Sequence, residues 1–153
     1  MHSSFTILPE AVRSSDAVTK QAILEELADV FADAYGLDGG QALAGMEARE
    51  RLGSTGFGRG VAIPHARLPD MQVSATAFLR LNDPIDFDAA DGAPVGLVFG
   101  LISPERAGAA HLHALAAISR MMRDERQNEI LSAAKQESEL YGLLSNVLDR
   151  HAA

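Results

Sequence analysis

One run of the chain constrains its fold more than any other. Residues 95–102 read Val-Gly-Leu-Val-Phe-Gly-Leu-Ile, a stretch without a polar side chain. A strand with one face in water alternates apolar and polar residues, whereas a strand covered on both faces is apolar throughout. The run therefore predicts the central strand of a sheet that carries other structure on both of its sides.

Two further segments have the pattern of strands. Residues 61–63 form a short apolar run, and Pro64 favours an extended backbone for the residue before it. Over residues 73–81 apolar side chains occupy alternate positions, which predicts a half-buried strand. Residue types that favour turns predict a loop over 53–60 and turns at 82–84 and 91–92.

Five segments have the spacing of amphipathic helices, because apolar residues recur every three or four positions with polar residues between them. They are residues 18–35, 39–51, 108–123, 124–134 and 137–149. Asp16 is expected to cap the first helix and Gly36 to end it. Helices that alternate with strands indicate an α/β or α+β protein. This pattern alone contains too few strands to predict a topology.

Length and composition are those of one folded domain, which we expect to span residues 1–153. The chain has 153 residues, and the 47% that are hydrophobic suffice for a core. It contains no cysteine, which excludes disulfides, thiolate metal ligands and cysteine nucleophiles.

Charge and hydropathy exclude two classes of partner. The net charge is −8 and the 13 basic residues are scattered, which argues against nucleic-acid binding. The chain has no apolar run near the roughly 20 residues of a membrane helix. Its first residues lack the basic start of a signal peptide. We therefore expect a cytoplasmic protein that binds neither nucleic acid nor membrane.

The segment with the most residues that could bind a ligand or react with one is 49–66. It reads Arg-Glu-Arg-Leu-Gly-Ser-Thr-Gly-Phe-Gly-Arg-Gly-Val-Ala-Ile-Pro-His-Ala. Arginines bind anions through a rigid fork of donors, and glycines bring backbone N–H groups close to a ligand. Histidine can act as a nucleophile near neutral pH. Together they suggest that His65 accepts a phosphoryl group, with a partly buried structural histidine as the alternative. The glycines do not have the spacing of a nucleotide-binding loop.

Three segments carry a resemblance to a known family. Residues 53–65, Gly-Ser-Thr-Gly-x-Gly-x-Gly-Val-Ala-Ile-Pro-His, resemble the active-site signature of the fructose/mannitol-type EIIA domains of the bacterial phosphotransferase system, and most closely the nitrogen-regulatory branch. Residues 84–95 and 111–115 resemble two further family segments in the same order. The resemblance covers nearly the whole chain and implies an α/β fold with a mixed, mostly parallel β-sheet flanked by helices on both faces.

The resemblance also implies roles for histidines. His65 would be the phosphoryl acceptor. His111 and His113 lie two positions apart, so on a helix they would point about 200° apart and only one would face the site. The family motif makes that one His111, which would hydrogen-bond the phosphoryl oxygens or hold His65 in place. A zinc site that combines all three histidines is the alternative, although no acidic ligand motif accompanies them.

Further residues complete the predicted site. By the family pattern, Arg49 would neutralise phosphoryl charge or contact the partner. The hydroxyls of Ser54 and Thr55 could donate to phosphate oxygens, or equally tighten the turn. Gly58 and Gly60 belong to the same signature, so the resemblance implies that they also bind phosphate.

The resulting hypothesis is a phosphocarrier, a phosphoryl relay rather than a classical turnover enzyme. It would accept a phosphoryl group from an HPr- or NPr-like carrier, itself charged by an enzyme I that uses phosphoenolpyruvate, and act by binding regulatory target proteins. Neither metal nor cofactor is expected, since an arginine and backbone amides can stabilise the transferred group. The alternatives are a sugar-transport EIIA that donates to an EIIB, a histidine-dependent metal hydrolase, and a binding module whose His65 never reacts.

Overall fold

Residues 7–152, described by a computed structural model, form one six-stranded sheet and five α-helices. The strands are β1 (Val12–Ser15), β2 (Gly56–Gly58), β3 (Val61–Ala62), β4 (His65–Leu68), β5 (Ala75–Ile85) and β6 (Val95–Pro104). The helices are α1 (Lys20–Tyr35), α2 (Gly39–Arg51), α3 (Ala109–Met121), α4 (Glu125–Ser132) and α5 (Glu137–Ala152), after a short 3-10 turn at Pro9–Ala11.

The sheet is mixed and mostly parallel, as predicted. Its strand order is β1-β5-β6-β3-β2, and β4 also pairs with β6. The pairs β1–β5, β3–β6 and β4–β6 are parallel, whereas β5–β6 and β2–β3 are antiparallel. Strand β6 therefore has partners on both edges, and seven of its side chains are fully or almost fully buried. The prediction of a central strand at 95–102 is confirmed.

Helices cover both faces of β6. A Cβ added at Gly100 would lie 3.2 Å from side-chain atoms of Leu27 and Phe31, so this position faces α1. Three residues on, the hydroxyl of Ser103 lies 2.7 Å from the ring of His111 in α3. Because successive side chains point to opposite faces of a sheet, α1 and α3 lie on opposite sides.

The segment from Val61 to Leu68 follows β6 as two short strands rather than one. Pro64 has no N–H and cannot donate to β6, although its carbonyl accepts from Leu101 N at 3.0 Å. The N–H of Ile63 donates instead to Thr55 O at 3.0 Å. Thus His65 opens β4, a strand that was not predicted from the sequence.

The first helix begins later than predicted. Thr19, not Asp16, is its N-cap, since the Thr19 hydroxyl accepts from Ala22 N at 3.1 Å. Val18, the first residue of the predicted helix 18–35, lies outside the helix and is exposed. Gly36 ends the helix with φ 69°, a left-handed conformation that glycine adopts without penalty, so that prediction is confirmed.

Several strand predictions were wrong in detail. Residues 82–84 are not a turn but part of β5, which continues to Ile85. Strand β1 pairs only with residues 78–81, so beyond them one edge of β5 has no partner in the described sheet and tolerates Pro84. Val73 lies outside β5 and is exposed. The predicted loop 53–60 contains β2.

The other helices follow the prediction more closely. Helix α2 has the predicted bounds, α3 and α4 are a few residues shorter, and α5 runs to Ala152. Leu112, one of the apolar residues in the predicted amphipathic helix 108–123, is exposed rather than buried. In the described part of the chain, no helix has the length and apolar character needed to cross a membrane.

Candidate functional site

Two histidines that are distant in sequence meet on one face of the sheet. His65 opens β4 and pairs in register with Leu101 of β6, two residues before Ser103. Its side chain therefore projects on the face that α3 covers. There the rings of His65 and His111 lie 5.5 Å apart between centroids, tilted by 52°. The structure thus brings together the two histidines assigned to the site.

The His65 ring is held by its own backbone. Its Nδ1 lies 2.8 Å from the carbonyl oxygen of Ile63. A carbonyl only accepts, so Nδ1 carries a hydrogen, and in the neutral ring Nε2 holds the lone pair. Burial lowers the pKa of His65, and the nearby charge of Arg49 lowers it further, against the opposing effect of the Ile63 hydrogen bond. Neutral pH therefore leaves the ring with an unprotonated nitrogen.

His111 is buried, with 4% of its surface exposed. Its Nδ1 lies 2.7 Å from Ser103 Oγ. Burial lowers the pKa of His111 to about 4, with smaller effects from His65 and Arg67. Because this value is far below neutrality, the His111 ring is uncharged at pH 7.

The third histidine lies elsewhere. His113 is on α3 and exposed, whereas His111 is buried on that helix. Within residues 7–152 there is no group of three or more His, Asp or Glu side chains placed to share a metal ion. The alternative arrangement of His65, His111 and His113 around zinc does not form.

Two arginines influence the histidine pair. Arg49, in the last turn of α2, donates from Nη1 to Gly53 O at 2.8 Å, and its charge lowers the pKa of His65. Arg67, which is exposed, follows His65 by two positions in β4 and so shares its face. Its charge lowers the pKa of both histidines. Arg67 was not predicted as a site residue, although the two-residue period of a strand would have revealed it had β4 been predicted.

The hydroxyls of the loop before His65 bind other parts of the protein. Ser54 Oγ donates to Phe87 O at 2.6 Å and accepts from Gly56 N at 3.0 Å. The Thr55 hydroxyl donates to the carboxylate of Glu50. In this structure both hydroxyls hold the loop, which is the second role considered for them. Their predicted contact with phosphate stays a prediction.

Glu50 anchors the same loop and was not singled out in the sequence. Its side chain is 6% exposed and accepts from Thr55 N at 3.1 Å as well as from the Thr55 hydroxyl. Lys20 Nζ lies 2.8 Å from it and so pairs with the buried charge. The residues Lys20, Glu50 and Thr55, here called the loop clamp, join α1, α2 and the loop that leads to His65.

Gly58 and Gly60 shape the turn between β2 and β3. Both have positive φ, 112° and 80°, which favours glycine. The carbonyl of Gly60 accepts from Gly96 N and Leu97 N. Val61 pairs with Leu97 and His65 with Leu101, so both residues run along β6 and lie four positions apart. At 3.3 Å per residue, the turn before Val61 is about 13 Å from His65. Their predicted contact with phosphate stays a prediction.

Comparisons with known proteins converge on one family. Residues 8–147 match the family described as "Phosphoenolpyruvate-dependent sugar phosphotransferase system, EIIA 2". A "Nitrogen regulatory protein" of Bradyrhizobium diazoefficiens is 41% identical over 140 residues, which cover 91% of this chain and 92% of that protein. One from Pseudomonas aeruginosa is 41% identical over 130 residues, 84% of each chain.

Solved structures agree with the sequence matches. Nitrogen regulatory protein IIA-Ntr from Neisseria meningitidis superposes with a TM-score of 0.83 at 32% identity, over 90% of this chain and 95% of that one. IIA mannitol from Escherichia coli gives a TM-score of 0.78 at 19% identity, over 92% and 99% of the two chains. At that identity the second likeness shows the fold alone.

Proposed function

Because this chain belongs to the EIIA 2 family of the phosphoenolpyruvate-dependent sugar phosphotransferase system, in which it has the role of a phosphocarrier, we propose that His65 is the residue that carries the phosphoryl group. One observation carries the proposal. The Ile63 carbonyl holds the hydrogen of His65 on Nδ1, 2.8 Å away, and leaves Nε2 as the nucleophile.

The transfer needs no proton movement at the moment of reaction. The lone pair of His65 Nε2 attacks the phosphorus of a phosphohistidine on the donor protein. A P–N bond forms at Nε2 while the donor's P–N bond breaks and its electron pair returns to the donor ring. The product ring keeps its Nδ1 hydrogen and gains positive charge, which the Ile63 carbonyl oxygen stabilises.

Two neighbours stabilise the transferred group. The phosphoryl oxygens carry most of the charge in a loose transition state, so donors and positive charge around them lower the barrier. His111, whose ring centroid is 5.5 Å from that of His65, donates to these oxygens from a neutral ring. Arg49 supplies positive charge from the end of α2.

Membership of the family supports the assignment of partners. The donor is an HPr- or NPr-like carrier protein, and the whole chain works as one EIIA unit in the cytoplasm. The relatives at 41% identity are named nitrogen regulatory proteins, which supports a regulatory output through binding of target proteins. A second candidate is donation to an EIIB. A structural neighbour, enzyme IIA mannitol of Escherichia coli, was solved in complex with phosphorylated enzyme IIB mannitol.

Intact mass spectrometry tests the acceptor. The protein is incubated with phosphoenolpyruvate, enzyme I and the carrier, and wild type is compared with His65→Ala, His111→Ala and His113→Ala. We expect one acid-labile phosphoryl group on wild type and on His113→Ala, none on His65→Ala, and slower gain on His111→Ala. A full mass gain on His65→Ala, or no gain on wild type beside an active carrier, would refute the proposal.

A second assay separates the two outputs. The purified phosphoprotein is mixed with a sugar-specific EIIB, and loss of its mass gain is followed over time. Retention of the phosphoryl group supports the regulatory output, whereas rapid loss to EIIB supports the transport role.

A further inference from the structure

A serine hydroxyl holds the far side of the His111 ring. Ser103 lies in β6 with 0% of its surface exposed, and its Oγ is 2.7 Å from His111 Nδ1. Because both residues are buried, neither group can exchange this contact for bulk water. The Ser103 hydroxyl therefore has a direct influence on which nitrogen of the His111 ring bears the hydrogen.

A neighbouring hydroxyl favours one direction for this hydrogen bond. The hydroxyl of Ser74, in the segment before β5, donates to Ser103 Oγ at 3.2 Å. Ser103 thus accepts from Ser74 and has its own hydrogen left for His111 Nδ1. A ring that accepts at Nδ1 carries its hydrogen on Nε2 when it is neutral.

We propose, building on the function proposed above, that Ser103 is a positioning residue for phosphoryl transfer. Its hydroxyl donates to His111 Nδ1, fixes the hydrogen of that ring on Nε2, and so makes His111 a donor toward the phosphoryl group on His65. The chain Ser74–Ser103–His111 runs from the segment before β5 to the ring that lies beside His65. Ser103 itself does not touch the phosphoryl group and acts only through His111.

The tautomer can be read directly. Nitrogen-15 NMR of the unphosphorylated wild-type protein at pH 7 distinguishes a ring nitrogen that bears hydrogen from one that does not. We expect hydrogen on Nε2 of His111 and none on Nδ1. Hydrogen on Nδ1 would overturn the proposal, since Ser103 would then accept rather than donate.

Rates of phosphorylation test the effect on transfer. Ser103→Ala is expected to accept the phosphoryl group about five- to tenfold more slowly, the range for loss of one oriented hydrogen bond. Ser103→Thr keeps the hydroxyl and is expected to recover most of the rate. Ser15→Ala removes a hydroxyl that is similarly buried in β1, where it bonds Glu26, and is expected to leave the rate unchanged.

A double-mutant cycle shows whether Ser103 acts through His111. On a His111→Ala background, Ser103→Ala is expected to change the rate by less than about twofold, because the ring that it orients is gone. If the two substitutions slowed phosphorylation independently, so that their fold-losses in rate multiplied, the proposal would be overturned. A wild-type rate for Ser103→Ala would also overturn it. In both cases wild type still gains a phosphoryl group on His65, so failure of this inference is distinct from failure of the proposed function.

Discussion

The rings of His65 and His111 lie 5.5 Å apart although one comes from β4 and the other from α3. The pKa of each is lowered, chiefly by burial. Two neutral rings can share this face of the sheet without the repulsion that two imidazolium ions would suffer. The lowered pKa values therefore keep both rings neutral at pH 7, which is the state that the proposed role of His65 as a nucleophile needs.

The first prediction concerns stability at acid pH. His111 has a pKa of about 4 in the folded protein, against 6.5 for an ordinary histidine. Between these values the unfolded chain binds a proton that the folded chain does not, so the free energy of unfolding falls as pH falls through this window. The loss reaches about 3 kcal/mol at its lower end. The stabilisation is fully present above pH 6.5.

Urea denaturation of wild type and His111→Gln from pH 7.5 to 4 measures this loss. Glutamine does not titrate, so the difference in unfolding free energy between the two proteins should shrink as the pH falls. Effects of the carboxylates cancel in the comparison. A constant difference across the range would contradict the prediction.

The second prediction concerns Arg49. Its charge lowers the pKa of His65, so Arg49→Ala should raise that pKa, which an NMR titration of the His65 ring measures. Phosphorylation should slow about 10- to 100-fold, because the phosphoryl charge loses a counter-charge. Arg51→Ala removes an exposed arginine from the same turn of α2 and serves as the control for the titration. Equal pKa values of His65 in both variants would be evidence against a role for Arg49.

The third prediction concerns the loop clamp. Glu50→Gln weakens the pairing with Lys20 and with Thr55, at a cost of about 1–3 kcal/mol in the free energy of unfolding. The amide of Thr55 should also exchange its hydrogen faster, because its acceptor is weaker. Glu47→Gln makes the same chemical change in α2 at an exposed hydrogen bond with Gln21, and it is expected to cost less than about 0.5 kcal/mol in the free energy of unfolding. Similar losses of unfolding free energy for both variants would mean that the loop clamp contributes no more to stability than the contact of Glu47.

The long elements could be predicted from sequence, because their signals accumulate over many residues. The apolar run at 95–102 identified β6, and Gly36 identified the end of α1. The short strands could not be predicted in this way. Residues 12–15 of β1 are Val-Arg-Ser-Ser, a mostly polar stretch that becomes a strand by pairing with residues 78–81. Such pairing depends on distant parts of the chain and leaves no local pattern.

The residues of the site also differ in whether the sequence alone could predict them. The family motifs pointed to His65 and His111, and the structure places their rings together. Nothing near Glu50 in the sequence indicates a buried ion pair, because Lys20 reaches it from another helix. Ser103 follows the apolar run 95–102 directly and acquires its contact with His111 only when α3 folds over β6. Contacts of this kind arise from packing and cannot be inferred from spacing.

The last prediction compares two glycines that differ in backbone conformation. Gly60 has φ 80° in the turn before β3, where any side chain is strained, so Gly60→Ala should lower the free energy of unfolding by about 1–2 kcal/mol. Gly142 lies in α5, and a Cβ there would meet no described atom within 4 Å. Alanine favours a helix over glycine, so Gly142→Ala should stabilise the protein by about 0.5–1 kcal/mol. Urea denaturation of both variants beside wild type measures the two changes, and shifts of the same sign would show that backbone conformation does not govern them.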